Sequence, residues 1–176
     1  MTQPMISLPE TDAPALPDWA VIASVDLPSP DATDALAARL AVYLRAGDTL
    51  LLSGGLGAGK THLARALIRA YLGNPLEPVP SPTFTLVQTY EGAGAALWHS
   101  DLYRLGDPSE IDELGLLDAM DDAICLIEWP DRLAPDWPEN AALLHLERRG
   151  DDTREAALFG PAGSDLAQRL AAVLPE

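Results

Sequence analysis

Residues 53–73, SGGLGAGKTHLARALIRAYLG, contain the only lysine in the chain. Gly54, Gly55, Leu56, Gly57, Ala58, Gly59, Lys60 and Thr61 fit G-x-x-x-x-G-K-[ST], a pattern whose chemistry is the gripping of a phosphate chain. Glycines lack a Cβ, so successive backbone N–H groups can converge on phosphate oxygens. A helix starting at about Gly59 points its positive end at the same place. An ammonium on a thin stem reaches between β- and γ-phosphates as a point charge, whereas a planar guanidinium needs a wider, forked acceptor. Every other permanent cation of the chain is arginine, so the single lysine falls where the two side chains differ most. The nucleotide-binding stretch is accordingly Gly55, Leu56, Gly57, Ala58, Gly59, Lys60, Thr61 and His62, with His62 itself read as a solvated first-turn residue rather than a base.

A triphosphate site also calls for a divalent cation and a group that responds to the terminal phosphate. The Thr61 hydroxyl supplies one Mg²⁺ ligand. Glu128, following the apolar run of AICLIEW, supplies the second, directly or through water, at the strand end where ligands gather in open α/β sheets. Pro80 and Pro82 hold VPSPTF extended and present Thr83 either as a sensor of Mg²⁺ or γ-phosphate or as a plain turn threonine. His99 and Asp101, two apart, share one face of a strand. They either reach the site together, as a metal-water ligand and a water-orienting group, or are surface polar residues. Arg104 reads as an arginine finger in cis or, more simply, as a partner for the abundant acids.

The elements that must position these groups follow from patterning. VIASVDL reads as a strand. SPDATDALAARLAVYLRAGD reads as a helix with Ser29 as N-cap, Pro30 in the first turn, Leu36, Leu40, Tyr43 and Leu44 on one face, and Gly47 as its stop. TLLLS, apolar at consecutive positions, is a strand covered on both faces that runs into the glycines. Leu63, Leu67, Ile68 and Tyr71 form the stripe of the next helix, which Gly73 ends. TFTLVQTYEG and AALWHSDLYR flank a turn at residues 92–94 as a hairpin. AALLHLERRGDDTREAALFG makes a second hairpin, with His145 as a packing or surface residue, and SDLAQRLAAVL closes the chain as an amphipathic helix. The expected fold is α/β: a single P-loop NTPase domain over residues 19–176, its mixed sheet having a parallel core extended by antiparallel strands. A mobile proline-rich leader, residues 1–18, precedes it.

Composition narrows the partners. With 11 Lys plus Arg against 27 Asp plus Glu, the formal charge is −16, a field that repels polyanions, so unaided binding of RNA or DNA is disfavoured. The one cysteine, Cys125, sits in an apolar run and reads as a small core residue in a reducing compartment. No apolar run approaches membrane-spanning length and the N-terminus lacks a signal-peptide pattern, so the protein is expected to be cytoplasmic.

GGLGAGKT, SPTFTLVQTY, HSDLYRL followed by IDELGL, and LIEWPDRL, in this order, resemble the TsaE (formerly YjeE) family over roughly residues 19–160. These are P-loop ATPases of bacterial tRNA threonylcarbamoyladenosine synthesis. The resemblance implies that Thr61 and Glu128 belong to a magnesium site, Asp101 to the hydrolytic apparatus together with Lys60 and Glu128, and Thr83 to a switch-like loop, with Trp129 beside the bound nucleotide. It implies ATP and Mg²⁺ as cofactors and TsaB and TsaD as partners. Those partners transfer threonylcarbamoyl to N6 of adenosine 37 and would hold the tRNA, so this chain is not the transferase but a weak ATPase that resets or regulates them. Two other classes of P-loop protein compete with this reading. A small-metabolite P-loop kinase needs a substrate pocket and often an arginine-rich lid, and the one adjacent pair, Arg148 and Arg149, sits in a predicted hairpin. A GTP switch commonly needs N-K-x-D, which a chain with its sole lysine at position 60 does not contain.

Overall fold

The computed structural model describes residues 19–105, 107, 109–133 and 137–174, so the leader expected over residues 1–18 lies outside the described residues. In chain order the elements are β1 (Ala20–Leu27), α1 (Pro30–Tyr43), β2 (Thr49–Ser53), α2 (Lys60–Leu72), β3 (Val87–Tyr90), β4 (Leu97–Asp101), α3 (Ser109–Glu113), α4 (Leu116–Asp122), β5 (Ile124–Glu128), a 3₁₀ turn (Pro130–Leu133), β6 (Ala141–Arg148), β7 (Arg154–Gly160) and α5 (Asp165–Ala171). The strands form one seven-stranded sheet in the order β1-β7-β6-β2-β5-β4-β3. Strands β6, β2, β5 and β4 run parallel, while β7 with β1 on one side and β3 on the other extend them antiparallel. This is the expected mixed sheet.

The central strands β2, β5 and β6 carry runs of consecutive apolar residues because both faces are covered. Leu50, Leu52, Leu126 and Leu144 pack toward α1, α2 and α5 against Leu36, Leu40, Leu63, Leu67 and Leu170. Leu51, Cys125, Ile127 and Leu143 face the opposite way, against Ile111 of α3, Leu116 of α4 and Leu133. The period of two along each strand thus sorts neighbouring residues into separate cores, and the functional side chains at strand ends inherit that sorting. Helices α3 and α4 cover the second core; the sequence patterning above did not single them out, because each is short and they are separated by Gly115 at φ 75°.

Helix α1 starts as expected, the Ser29 hydroxyl accepting the Ala32 N–H at 3.2 Å. It ends earlier than its pattern suggests. Tyr43 is the last helical residue and is 42% exposed rather than on the buried face, Leu44 turns extended, and Gly47 lies beyond, in the turn to β2. The stop is tertiary. Asp48, buried at the foot of β2, accepts the Arg45 N–H at 2.7 Å and pairs with Arg169 of α5 at 2.7 Å, and the same guanidinium donates to the Tyr43 carbonyl. The α1 terminus is therefore tied to α5 by charge-assisted bonds instead of by a glycine cap. The first hairpin is also shorter than read: residues 82–85 form a turn, closed by a 2.7 Å bond from the Leu86 N–H to the Pro82 carbonyl, with Leu86 at φ 67°.

Burial pushes the Cys125 thiol up to about 12, with Asp122 adding to the effect. Its neutral form is favoured in the fold. That preference is complete below the ordinary thiol value of 9.0 and is lost as pH rises toward the folded value. At pH 8 a thiol reagent should therefore leave the native protein unlabelled and modify it stoichiometrically in denaturant; rapid labelling of the native state would contradict this packing.

Candidate functional site

The loop of residues 54–59 joins the central strand β2 to α2 and sits at the carboxyl ends of the parallel strands. Glycine is required at 54, where φ is 142° and a Cβ would meet the Leu146 carbonyl at 2.4 Å. Gly59 adopts φ 103° as the N-cap of α2 and offers no side chain to cap it, so the first turn opens toward the loop. Lys60 is 5% exposed and folds back over this loop, its Nζ donating to the Gly54 and Gly55 carbonyls at 2.7 and 2.8 Å and lying 4.1 Å from the centre of the Trp129 ring.

Two neighbouring strands deliver acids to the same place. Glu128 ends β5 opposite Leu52 of β2, and Asp101 ends β4 directly opposite Glu128. The Thr61 hydroxyl donates to Glu128 Oε1 at 2.7 Å, and His99 Nε2 donates to Oε2 at 2.7 Å. Asp101 Oδ1 accepts the Tyr103 N–H at 3.0 Å, and its Oδ2 lies 3.4 Å from the Thr83 hydroxyl, which shares a further bond with Ser81. Trp129, at a strained φ of 55°, lies over the lysine, and Tyr103 packs against it with ring centres 4.7 Å apart.

A cavity of about 370 Å³ is lined by Leu56, Gly57, Ala58, Gly59, Lys60, Thr61, His62, Thr83, Asp101, Tyr103, Glu128 and Trp129. Of the nucleotide, magnesium and hydrolytic residues selected from sequence, Gly55 is absent from this lining, and its carbonyl receives Lys60. His99 does not reach the cavity. It is fully buried beneath Glu128 and Asp101 is buried too, so both readings of the pair are corrected: neither is a surface group, and His99 is no ligand of metal-bound water, because alternation puts it one repeat down the strand from Asp101, inside the sheet–helix interface. His62 is half-exposed and bonded to Asp34 of α1 at 2.8 Å. Arg104 points elsewhere, its guanidinium 4.8 Å from the centre of the exposed Phe84 ring.

Sequence reasoning missed Arg154. From the start of β7 its Nε donates to the Ala58 carbonyl at 3.0 Å and Nη2 to the Gly57 carbonyl at 3.2 Å, while Nη1 holds the Gly150, Asp151 and Thr153 carbonyls. One guanidinium thus ties the loop to the second hairpin. A smaller cavity of about 140 Å³ opens beside it, among Pro30, Thr33, Ala58, Gly59, His62, Leu146, Asp151, Asp152 and Arg154. No local pattern marks Arg154, which is 96 residues from Ala58. Of the two readings of His145, packing or surface, burial supports the first, and it shares a 2.8 Å bond with Ser53 just beneath the loop.

A glycine loop between a central parallel strand and a helix, with an acid at the end of the adjoining strand, defines the P-loop class of nucleotide-binding α/β proteins. The family model described as "Threonylcarbamoyl adenosine biosynthesis protein TsaE" matches residues 27–156. The chain belongs to the TsaE family. A Rickettsia bellii protein named "tRNA threonylcarbamoyladenosine biosynthesis protein TsaE" is 38% identical over 128 residues, 73% of this chain and 88% of that one. The Bacillus subtilis protein of the same name is 37% identical over 128 residues, 72% and 78% of the two chains. A Rickettsia conorii relative is 44% identical over 105 residues, a match that spans 60% of this chain and only 59% of the relative's length. The crystal structure of Bacillus subtilis YdiB superposes with a TM-score of 0.67 at 28% identity, covering 85% of this chain and 94% of that one.

Replacing Arg154 by alanine removes the outer anchor of two loop peptides. Amide hydrogen exchange across residues 54–59 should accelerate, with a loss of stability on the order of 1 kcal/mol, and lysine at 154 should not restore protection because it lacks the fork. Unchanged exchange in Arg154→Ala would show that the loop holds its shape unaided.

Proposed function

We propose that the chain binds ATP with Mg²⁺ in the larger cavity, hydrolyses it slowly, and serves tRNA threonylcarbamoyladenosine synthesis as a nucleotide-dependent regulator of the TsaB–TsaD complex. The observation that carries the reading is the convergence of Lys60, Thr61 and Glu128 on the mouth of one glycine loop. The donor set suits magnesium. Among the described residues no cluster of three or more His, Cys, Asp or Glu is arranged to cage a metal. Mg²⁺ habitually takes one or two protein oxygens and completes its shell with phosphates and water, and Thr61 Oγ1 with Glu128, direct or through water, offers that number. Bound there, the ion would neutralise charge on the β- and γ-phosphate oxygens.

The residues divide the work by position. Backbone N–H groups of the loop and the α2 terminus hold phosphate oxygens, and Lys60 exchanges its two carbonyl partners for the terminal phosphates. Asp101, held by the Tyr103 amide and facing Thr83, orients the attacking water, and Thr83 registers the γ-phosphate through that contact. Trp129 covers the lysine, backed by Tyr103, and limits water around it. No arginine lines the larger cavity, which favours slow turnover by the isolated chain; an arginine supplied by a partner in such enzymes is worth ~10³–10⁵ in rate. The formal charge of −16 supports contact with tRNA only through partners. Among the described residues no helix is long and apolar enough to cross a membrane, and the cytoplasm is the compartment proposed.

Lys60→Ala should lower ATP turnover about 10²–10³-fold, the usual loss when one preorganised donor to developing charge is removed. Glu128→Ala should impair Mg²⁺-dependent hydrolysis more than nucleotide affinity. Addition of TsaB and TsaD should raise the turnover of the wild type. Equal rates in wild type and both variants would remove the site assignment. Transfer of the γ-phosphate to a small metabolite instead of water would replace the regulator by a kinase.

A further inference from the structure

Among the described residues, His99 is the fully buried polar side chain bonded to Glu128 that the mechanism above does not use. It is fully buried on β4, on the sheet face turned toward α2, with Leu97 two residues before it and Asp101 two after. An ionised carboxylate only accepts hydrogen bonds, so the 2.7 Å contact with Glu128 Oε2 fixes the tautomer: Nε2 carries the proton. Nδ1 then has no hydrogen-bond partner. A side chain retained only for packing would be better served by leucine or phenylalanine, which leave no polar atom unsatisfied in the core. The orphaned nitrogen is tolerated because the other nitrogen has work to do.

That work concerns the plane of the Glu128 carboxylate. Rotation about its terminal bond is soft and roughly two-fold, so a single contact leaves the oxygens free to swing. In this chain Thr61 of α2 holds Oε1 and His99 of β4 holds Oε2, each at 2.7 Å and from a different structural element. The two bonds set the direction in which the remaining lone pairs face the cavity. We propose that His99 is a positioning residue that locks the carboxylate of Glu128 in the orientation needed to receive the divalent cation beside Thr61. It touches neither nucleotide nor metal, since it is absent from the cavity lining. The inference rests on the nucleotide and magnesium reading of the site and names a further residue that makes that site work.

The test uses the full chain, a non-hydrolysable ATP analogue and calorimetric titration, with and without Mg²⁺. His99→Phe keeps the ring volume and removes the donor. His99→Gln can return an amide N–H near the Nε2 position, whereas the shorter His99→Asn reaches only the Nδ1 position. In His99→Phe and His99→Asn the Mg²⁺ concentration for half-maximal tightening of the analogue should rise about 10–100-fold, the usual consequence of removing a hydrogen bond to a metal ligand. Affinity in excess chelator should stay at the wild-type value, kcat should fall with little change in the KM for ATP, and His99→Gln should recover most of the magnesium response. If His99→Phe fails to fold, the contrast between glutamine and asparagine still decides. A wild-type magnesium response in the Phe or Asn variant, or a glutamine variant as impaired as the asparagine one, overturns the proposal and leaves the nucleotide reading intact. Absence of any magnesium effect on the wild type overturns both.

Discussion

Glu128 is 1% exposed at the end of β5, and a carboxylate withdrawn so far from water needs hydrogen bonds on both oxygens. It obtains them from Thr61 and His99, residues on α2 and β4 that lie far apart in sequence. Both donors are available only if β4 runs beside β5 in parallel register and α2 begins immediately after β2 on its other side. The demand of one buried charge is therefore met by the strand order of the whole parallel core. The same register sets Asp101 opposite Glu128 and brings a second acid to the mouth of the loop.

The loop is constrained from the opposite direction. Its left-handed glycines remove the Cβ atoms that would close it, and Gly54 in particular lies against the backbone of β6 at Leu146. Peptide groups freed in this way need something to aim them. Arg154 holds the outward carbonyls of Gly57 and Ala58, which directs the paired N–H of each peptide away from the guanidinium. The antiparallel strands that widen the sheet thereby acquire a role at the phosphate end of the molecule, in addition to covering α1 and α5.

Much of this was legible in the residues. The glycine pattern with Lys60 and Thr61, the strand before it, the helix after it and the acid ending AICLIE are local features, each dictated by sterics or by apolar periodicity within a few residues. Both hairpins and the Ser29 cap are local in the same sense. The misreadings came from hydrogen bonds that apolar periodicity does not report. Helix α1 stops at Tyr43 because Asp48 and Arg169 meet across 121 residues, and the turn over residues 82–85 shortens a segment whose composition suits a strand. His99 and Asp101 alternate as expected, yet one ends under the carboxylate and the other beside the cavity, because His99 pairs with Leu126 within the sheet and Asp101 with Glu128 at the strand end.

The sequence by itself determined that a TsaE-type glycine loop would sit between an apolar strand and an amphipathic helix, in a chain of net negative charge, because propensity, period and composition need no tertiary contact. Only the tertiary structure decided which side chains close around that loop. Arg154 and His99 are an ordinary arginine and an ordinary strand histidine until the sheet folds. Their roles come from hydrogen bonds across strand pairings and helix crossings, and such bonds depend on distances of about 3 Å that chain order does not encode locally.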